Sequence, residues 1–376
     1  MATTGRTGGT PDAIADELRT APFVRLVSRA DGDALAATGL LGRALADRGV
    51  PFQASVVRTR TDRATAIEAG DPSDLTVTIG AVDDETDAIE IDPDGPASHR
   101  AMTVVRELDG HPDPTLALAG MVAAGETPEE EMSSVVESAP VERRPGVGSP
   151  TPDLADGLAH STWLRASFSG DLEAARNTLT EHDLPAEDDD LGGRPIGSLA
   201  AIEGVRGGSP AASTAVERVV RPLVVDDGVF RTVEGYADVL NAAARERPGV
   251  GVALALGHDV RASALTVWRA HAAAAHSAAD AVETARHAGI VVARIPDDAA
   301  DSPPAETIAR LLCEFASPEP AVAVVGPDAI GVAGIEPDRV AATARAVGAP
   351  WEATRTGGYI ETADGDEMIE ALRGAL

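Results

Sequence analysis

Residues 24–37 read VRLVSRADGDALAA, in which an apolar run gives way to aspartates and then to a helical alanine and leucine pattern. The aspartates are Asp31 and Asp33. In parallel α/β sheets, the side chains that follow the strands gather at one edge, where such folds bind metal ions or phosphates. The stretch therefore predicts a buried strand that ends at a pair of carboxylates.

Strand and helix patterns continue to alternate after this stretch. Strands are predicted at residues 23–28, 52–57, 75–79 and 88–91, and helices at residues 34–47 and 115–124. Short apolar strands separated by helical segments favour a parallel sheet with helices on both faces. We therefore predict an N-terminal tail at residues 1–20 and an α/β domain with a parallel sheet at residues 21–135.

The composition changes after this domain. Acidic, proline-containing segments such as VERRPGVGSPTPD and AEDDD alternate with short helical pieces and predict a helical connector at residues 136–225. Further helices are predicted at residues 236–245 and 262–287, and further strands at residues 290–295, 321–325 and 330–333. Residues 226–376 are therefore predicted to form a smaller C-terminal α/β domain. Within it, the run PGVGVALALG lacks the lysine of a P-loop and the spacing of a dinucleotide motif, so it predicts a packing turn.

The charge of the chain says more about its solvent than about its partners. The formal net charge is −30, and every one of the 31 positive side chains is an arginine. This composition is typical of cytoplasmic proteins of halophiles, whose hydrated carboxylates keep the surface soluble in molar salt. At that ionic strength the Debye length is about 3 Å, so acidity does not exclude binding to DNA or RNA.

Several classes of protein are excluded by composition. The single cysteine, Cys313, cannot form a disulfide within the chain or a cysteine-based zinc site. The chain has no run of 18 apolar residues, and its first residues lack the apolar core of a signal peptide. We therefore expect a soluble, cytoplasmic protein with no membrane partner.

Two segments resemble the DHH and DHHA1 phosphoesterase superfamily, and within it the archaeal and haloarchaeal RecJ-like exonucleases. Residues 24–37 resemble the first DHH motif, and residues 233–257, VEGYADVLNAAARERPGVGVALALG, resemble an asparagine-containing helix and glycine turn of the DHHA1 domain. The resemblance covers most of the chain in the right order, and the connector matches least. It implies a phosphodiesterase in which aspartates and histidines hold manganese or magnesium between the domains.

The motifs of the superfamily are depleted in this chain. Arg29 stands where the first motif has a histidine, and the second motif ends in Gly80 rather than aspartate, with Asp83 and Asp84 displaced downstream. The motif that names the family keeps Asp92 but has Pro93 and Asp94 in place of its histidines. Ala124 replaces a further aspartate, and the C-terminal segment VGAPWEATRTGG lacks the histidine of the substrate loop.

The resemblance nevertheless assigns candidate site residues. The remnant catalytic residues are Asp31, Asp33 and Asp92, the metal ligands are these three with Asp94, and the substrate-binding residues are Gly357 and Gly358. We hypothesise that Arg29 replaces the metal, because a guanidinium can offset clustered carboxylates through bidentate hydrogen bonds. The alternative is that Arg29 faces solvent and that Asp31 or Asp33 merely caps the following helix.

The eight histidines offer no clear replacement for the lost ligands. His99 is a possible migrated ligand, but its place in the first turn of a predicted helix favours an exposed side chain. His271 and His276 are five residues apart, which misses the spacing that puts two ligands on one helix face, so surface or interdomain packing is favoured. The other five lie in predicted loops or at helix ends.

Two functions remain open from the sequence. The first is a catalytically impaired RecJ-like protein that binds single-stranded DNA or RNA, or that joins GINS or the replicative helicase as a scaffold, with no cofactor. The second is an active manganese- or magnesium-dependent single-strand exonuclease or small phosphoesterase. With only ten aromatic side chains, contacts to nucleic acid would come mainly from arginines. Candidates are Arg58, Arg60, Arg143 and Arg144.

Overall fold

The chain forms two compact units. The computed structural model describes residues 9–80, 88–91, 95–127, 133–187, 193–206, 208–296, 303–355, 357–362 and 364–375. The first unit comprises Met1–Val141, Val225–Val229 and Tyr236–Val267, and the second comprises Glu142–Val224, Phe230–Gly235 and Trp268–Leu376. The predicted domain limits, 1–20, 21–135, 136–225 and 226–376, stay a prediction.

The first unit is built on a parallel sheet, as its alternating pattern predicts. Its N-terminal elements are α1 (Pro11–Thr20), β1 (Val24–Arg29), α2 (Gly32–Asp47), β2 (Phe52–Val57), α3 (Arg60–Glu68), β3 (Leu75–Ile79), β4 (Ile89–Ile91), α4 (Ala97–Glu107) and α5 (Pro114–Ala123). The strand order is β2-β1-β3-β4, and all neighbours are parallel. The path from β2 to β3 crosses β1, so the sheet reverses its direction of growth beside β1, which is where open α/β sheets bind ligands.

Helix α2 is the centre of this unit. Thirteen of its sixteen residues are buried, because the helix is apolar on nearly all sides. It packs against α4, α5 and a later helix at Pro248–Ala255 as well as against β1. This burial fixes the start of α2, and therefore the aspartates there, relative to the carboxyl ends of β1 and β3.

The middle of the chain is helical. Its elements are α6 (Ser133–Ser138), β5 (Val141–Arg143), α7 (Leu154–His160), α8 (Leu172–Glu181), α9 (Gly193–Val205), α10 (Ala212–Glu217), β6 (Leu223–Val225), α11 (Val233–Glu246), α12 (Pro248–Ala255) and α13 (Arg261–Ala281). The packing turn predicted for PGVGVALALG is wrong: these residues form the short helix α12, which begins at Pro248. Proline fits the first helical turn because no backbone donor is needed there.

The second unit contains a mixed sheet of six strands among the described residues. Its elements are β7 (Glu283–His287), β8 (Ile290–Arg294), α14 (Ala305–Phe315), β9 (Ala321–Val325), β10 (Ala329–Ala333), α15 (Pro337–Val347), β11 (Trp351–Thr354), β12 (Gly357–Glu361) and α16 (Gly365–Ala375). The order is β11-β12-β10-β9-β8-β7, in which only β8 and β9 are parallel neighbours. A cluster that includes Ile290, Val332 and Ile360 forms its core. The predicted fold class, a parallel α/β domain followed by a smaller α/β domain, is confirmed.

One predicted helix end is wrong. The helix predicted over residues 262–287 ends at Ala281, and Glu283–His287 forms the edge strand β7, which pairs antiparallel with β8. The pairing partner lies after the segment, across a turn that contains Gly289, so helical periodicity upstream gives no sign of it. In the part of the chain that the structure describes, no helix is long and apolar enough to cross a bilayer.

Candidate functional site

Arg29 and Asp31 form an ion pair at the carboxyl end of β1. The Arg29 Nε donates to Asp31 Oδ2, and both side chains are largely buried. The other carboxylate oxygen, Asp31 Oδ1, accepts the backbone N–H of Ala34 at 2.9 Å and so caps α2. Helix capping by Asp31 and pairing with Arg29 therefore occur together, and Arg29 is directed at the carboxylate rather than into solvent.

Asp33 is also occupied by hydrogen bonds. Its side chain is buried, and its two oxygens accept the backbone N–H groups of Ala97 at 2.7 Å and Ser98 at 2.9 Å. These donors are the first residues of α4, whose preceding residue Pro96 supplies no side-chain cap. Burial, with a smaller contribution from the charge of Asp31, raises the pKa of Asp33 to about 7. Asp33 thus fastens the start of α4 to the start of α2.

Gly80 follows β3 beside this pair, at the position where the resemblance implies an aspartate. Its φ is +77°, and a Cβ built there would lie 2.8 Å from the Ala34 Cβ and 3.5 Å from the Arg29 guanidinium carbon. Contacts below 3 Å between such carbons require a neighbour to move. Position 80 therefore accepts a side chain only if Ala34 or the end of β3 shifts, whereas Arg29 lies at ordinary contact distance.

Asn241, the asparagine of the helix that resembles the DHHA1 domain, completes the arrangement through a contact that was not predicted. This residue of α11 accepts the backbone N–H of Gly32 at 2.9 Å through its Oδ1. Together with Asp31 it satisfies N–H groups at the start of α2 that would otherwise attract an anion. The partners are 209 residues apart in sequence, so no local pattern indicates the contact.

The remaining predicted residues at this edge divide into two groups. Asp92 and Asp94, together with Pro93, Asp83 and Asp84, lie outside the described residues. Ala124 is described and follows the last residue of α5 as its C-terminal cap. Of the four predicted metal ligands, the structure therefore places only Asp31 and Asp33, on either side of Gly32 at the start of α2.

Gly357 and Gly358 lie in the second unit, within strand β12 rather than in an open loop. Gly358 pairs with Val332 on one side and with Ala353 on the other. A Cβ at Gly357 would lie 2.5 Å from the carbonyl oxygen of Val332, so close approach of two strands accounts for this glycine. Their predicted role in binding substrate stays a prediction.

The described residues do not fit the divalent cation that the RecJ-like resemblance implies. Each oxygen of Asp31 and Asp33 already accepts a hydrogen bond from the protein, and Arg29 brings a positive charge against Asp31. Within the described ranges, no three histidine, cysteine, aspartate or glutamate side chains come together as a metal-binding group. This edge of the sheet is organised by a guanidinium and by helix N–H groups.

The histidines are placed differently from some expectations. His99 lies in the first turn of α4 as predicted, but it is half-buried. His271 and His276 are buried in the second unit rather than on its surface: the Nε2 atoms lie 3.0 Å from Thr307 Oγ1 and 3.0 Å from the Ser161 carbonyl oxygen. Burial lowers the pKa of His276 to about 4. Both residues therefore have structural partners.

The second unit contains a charged cluster that sequence reasoning missed. Arg269 of α13 binds Asp156 of α7 through two hydrogen bonds of 2.8 Å, and His160 Nδ1 lies 3.0 Å from Asp156 Oδ1. The His160 ring also makes an edge contact with Trp268, with centroids 5.6 Å apart. The i, i+4 spacing of Asp156 and His160 was the available signal, but Arg269 is 113 residues away. The cluster joins α7 to α13.

The arginines predicted to contact nucleic acid lie in separate units. Arg58 and Arg60 are both half-buried in the first unit, and Arg60 is the first residue of α3. In the second unit, Arg143 donates to the Arg221 carbonyl oxygen at 2.8 Å, and Arg144 pairs with Glu142 at 2.7 Å. Their contact with nucleic acid stays a prediction.

Comparison with known proteins gives one extended sequence relative. The chain is 44% identical over 337 residues to a Haloarcula marismortui protein described as "Uncharacterized protein rrnAC1427", a match that covers 87% of this chain and 86% of the relative. A family model described as the C-terminal domain of the same protein matches residues 282–374. This range runs from β7 into α16 and therefore covers the six-stranded sheet.

Solved structures show the fold. The chain is similar to CDC45 from Entamoeba histolytica with a TM-score of 0.61 and 11% identity, over 97% of this chain and 98% of that one. It is also similar to the exonuclease RecJ bound to manganese, with a TM-score of 0.51 and 14% identity, over 97% and 92% of the two chains. RecJ from Thermus thermophilus in complex with Mn²⁺ gives a TM-score of 0.53 at 15% identity, over 97% of this chain and 53% of that one. At these identities the likeness concerns the fold.

Proposed function

The chain belongs to the family of the Haloarcula marismortui protein rrnAC1427 and has a RecJ- and CDC45-like fold, and we propose that it is a non-catalytic member of the DHH superfamily. In this proposal it works in the cytoplasm as a nucleic-acid-binding or scaffold subunit of replication or repair. GINS and the replicative helicase are the proposed protein partners, and single-stranded DNA or RNA is the proposed nucleic acid. Because a fold alone does not decide activity, the proposal depends on the residues of the site.

The ion pair between Arg29 and Asp31 is the observation that carries the proposal. A fixed positive charge about 4 Å from a divalent cation costs roughly 8 kcal/mol at an effective dielectric constant near 20. Carboxylates that must hold such an ion cannot also keep a guanidinium beside them at that cost. We therefore assign Arg29 the role of a permanent counter-charge that replaces the metal.

The occupation of Asp33 supports the same proposal. Both of its oxygens cap α4, so its conversion to a metal ligand would cost two hydrogen bonds to backbone N–H groups. Such bonds contribute about 1 kcal/mol each, and more when the acceptor is charged. The hydrogen bonds of Asp33 therefore serve the packing of α2 and α4 rather than hydrolysis.

The central test is a nuclease assay with manganese in molar salt on end-labelled single strands. The wild type is expected to release no nucleotides above background, and the double variant Asp31→Ala, Asp92→Ala is expected to behave identically. A RecJ exonuclease assayed in parallel shows that the conditions permit cleavage. Manganese-dependent cleavage that the double variant abolishes would contradict the proposal.

Calorimetry with manganese gives an independent test. The wild type is expected to show no heat of stoichiometric manganese binding. Arg29→His removes the competing charge and restores an imidazole, so this variant is expected to bind manganese more strongly than the wild type. Arg19→His is the matched control, because Arg19 is paired with Asp16 away from the sheet edge. Tight binding of one or more ions by the wild type would refute the role assigned to Arg29.

The scaffold role is tested by direct binding. The tagged chain is expected to retain purified GINS in molar salt and to bind a fluorescent single-stranded oligonucleotide. If the chain binds none of GINS, the replicative helicase and the oligonucleotide, the scaffold role is wrong. The absence of catalysis is then still decided by the nuclease assay.

An active exonuclease or small phosphoesterase is the second candidate. It is favoured by the likeness of the fold to RecJ bound to manganese, by the retention of Asp31, Asp33 and Asp92, and by Asp94, a further carboxylate in place of a histidine. In that case these aspartates would hold manganese or magnesium, which would activate water for attack on a phosphodiester. The nuclease assay separates the two candidates, since only this one predicts cleavage.

A further inference from the structure

Trp351 and Arg345 form a cation–π pair at the edge of the six-stranded sheet. Trp351 begins the edge strand β11, and the guanidinium carbon of Arg345, from the last turn of α15, lies 5.2 Å from the centre of its indole ring. This distance is within the range of a cation–π interaction. Trp351 is half-buried and packs against the core cluster of the sheet, whereas Arg345 is exposed. The pair therefore presents an exposed guanidinium over a ring that is anchored in the protein.

The other tryptophans of the chain have no such surface. Trp163 and Trp268 are buried, with 5% and 0% of their surface exposed. Trp163 also lies beneath arginines, Arg310 at 4.8 Å and Arg218 at 5.7 Å, but that group is enclosed by the protein. Trp351 is thus the tryptophan whose arginine partner faces solvent.

The residues beside Arg345 on its own segment are small and uncharged. The neighbouring exposed residues of α15 and its C-terminal turn are Ala342, Ala346 and Gly348. From Arg339 to Trp351 the sequence RVAATARAVGAPW contains no acidic residue, in a chain whose net charge is −30. This segment therefore presents an accessible cation and contributes no carboxylate of its own.

We propose that the Arg345–Trp351 stack is a base-stacking platform for single-stranded nucleic acid. This inference rests on the proposed nucleic-acid-binding function and names a contact for it. A base would stack on the outer face of the Arg345 guanidinium, while Trp351 supports the inner face. The N–H groups at the edge of the guanidinium remain able to donate to a phosphate or to a base carbonyl.

Stacking suits binding in concentrated salt better than charge alone. At molar ionic strength the Debye length of about 3 Å screens attraction between arginines and phosphates. Contacts between a base and a planar side chain persist because they depend on burial and dispersion as well as on charge. A platform of this kind also tolerates any base sequence, since every base has a flat face.

Fluorescence anisotropy of a labelled oligothymidylate in molar KCl tests the proposal with the full-length chain. Arg345→Ala is expected to weaken binding roughly 5- to 20-fold, the lower part of the range for loss of one stacking contact. Trp351→Leu keeps an apolar side chain against the core and is expected to weaken binding in the same direction. Arg345→Lys keeps the charge but not the plane, and its affinity is expected to resemble that of Arg345→Ala.

The matched control is Arg339→Ala, which removes an exposed arginine from the same helix two turns away. It is expected to change the affinity less than about twofold. Equal effects of Arg339→Ala and Arg345→Ala, or full rescue by lysine at position 345, would show a contact of charge alone and overturn the platform. If a thermal melt shows that Trp351→Leu is not folded at the assay temperature, the two Arg345 variants and the Arg339→Ala control still test the platform.

Failure of this inference is distinguishable from failure of the proposed function. Wild-type binding that no variant weakens overturns the platform and leaves nucleic-acid binding intact. Absence of oligonucleotide binding by the wild type overturns the platform together with the nucleic-acid-binding role, and the binding of GINS or the helicase then decides the scaffold role separately.

Discussion

Asp33 in the first unit and Asp156 in the second are both aspartates with little exposed surface, yet their pKa values shift in opposite directions. They are 2% and 4% exposed. Asp33 accepts two neutral backbone N–H groups, and burial raises its pKa to about 7. Burial also acts to raise the pKa of Asp156, but the hydrogen bonds and charges of Arg269 and His160 outweigh it and hold that pKa well below its usual range.

The difference shows that burial alone does not decide whether a carboxylate keeps its proton. Neutral donors orient Asp33 without compensating its charge, whereas a bidentate guanidinium compensates the charge of Asp156. The pair of Arg29 and Asp31 resembles the pair of Arg269 and Asp156, because in each the arginine Nε donates directly to the carboxylate. At Asp156, a bidentate guanidinium therefore keeps a buried carboxylate ionised.

The largest effect is expected from removing Arg269, the cation of the charged cluster in the second unit. Among the described residues, Arg269→Met leaves His160 and Thr151 as the side-chain partners of the buried Asp156. The variant is expected to lower the free energy of unfolding by about 2 to 3 kcal/mol. Urea denaturation in molar KCl measures this loss.

Arg286→Met is the matched control for this variant. Arg286 pairs with Glu319 at 2.6 Å but is 67% exposed. A pair in that position is expected to contribute about 0 to 1 kcal/mol. If Arg269→Met and Arg286→Met lower the free energy of unfolding by the same small amount, the guanidinium of Arg269 does not stabilise the buried charge of Asp156.

The next effect is a pH dependence that belongs to Asp33. Its folded pKa, about 7, lies above the ordinary value of 3.8, so its contribution to stability is full below pH 4 and is lost as the pH rises through 7. Between about pH 5 and pH 8, the free energy of unfolding of the wild type is expected to fall by about 2 kcal/mol relative to that of Asp33→Asn. Urea denaturation of both proteins across this range shows whether the stability of the wild type falls or rises.

The same pair of titrations would reveal a cation at Asp33. A bound metal ion would favour the ionised carboxylate, and the wild type would then gain stability over Asp33→Asn as the pH rises. A gain in stability with rising pH that is seen with manganese and disappears when a chelator is added would contradict the proposed metal-free site.

The smallest effect concerns a neutral hydrogen bond at the start of α2. Asn241→Ala removes the acceptor of the Gly32 N–H and is expected to lower the free energy of unfolding by about 1 kcal/mol. Asn177→Ala changes an exposed asparagine of α8 and is expected to stay within about 0.5 kcal/mol of the wild type. A loss at Asn241 as large as that at Arg269 would mean that neutral and charged partners stabilise the two units equally.

The sequence predicted most of the regular structure because its signals were local. The bounds of β2, β3 and β9 agree with the patterns at residues 52–57, 75–79 and 321–325. The end of α13 and the identity of β7 were missed because alanine-rich periodicity gives no sign of an antiparallel partner that follows. Pairing with the next strand, β8, overrode the helical propensity of these residues.

The candidate site was predicted only in part. Asp31 and Asp33 were identified by their place after β1, and the structure puts them at the start of α2. Their actual partners were not identified in advance, because Ala97 and Ser98 lie more than 60 residues from Asp33, and Asn241 lies 209 residues from Gly32. Such contacts depend on how helices pack, which a single sequence does not encode locally.

The crowding at Gly80 also decides which substitutions the end of β3 tolerates. A Cβ at this position would lie 2.8 Å from the Ala34 Cβ, and the φ of +77° is one that other residues rarely adopt. Even alanine at position 80 is therefore expected to displace the start of α2, where Asp31 and Asp33 lie. A single hydrogen atom at position 80 thus sets how closely this helix approaches the end of the strand.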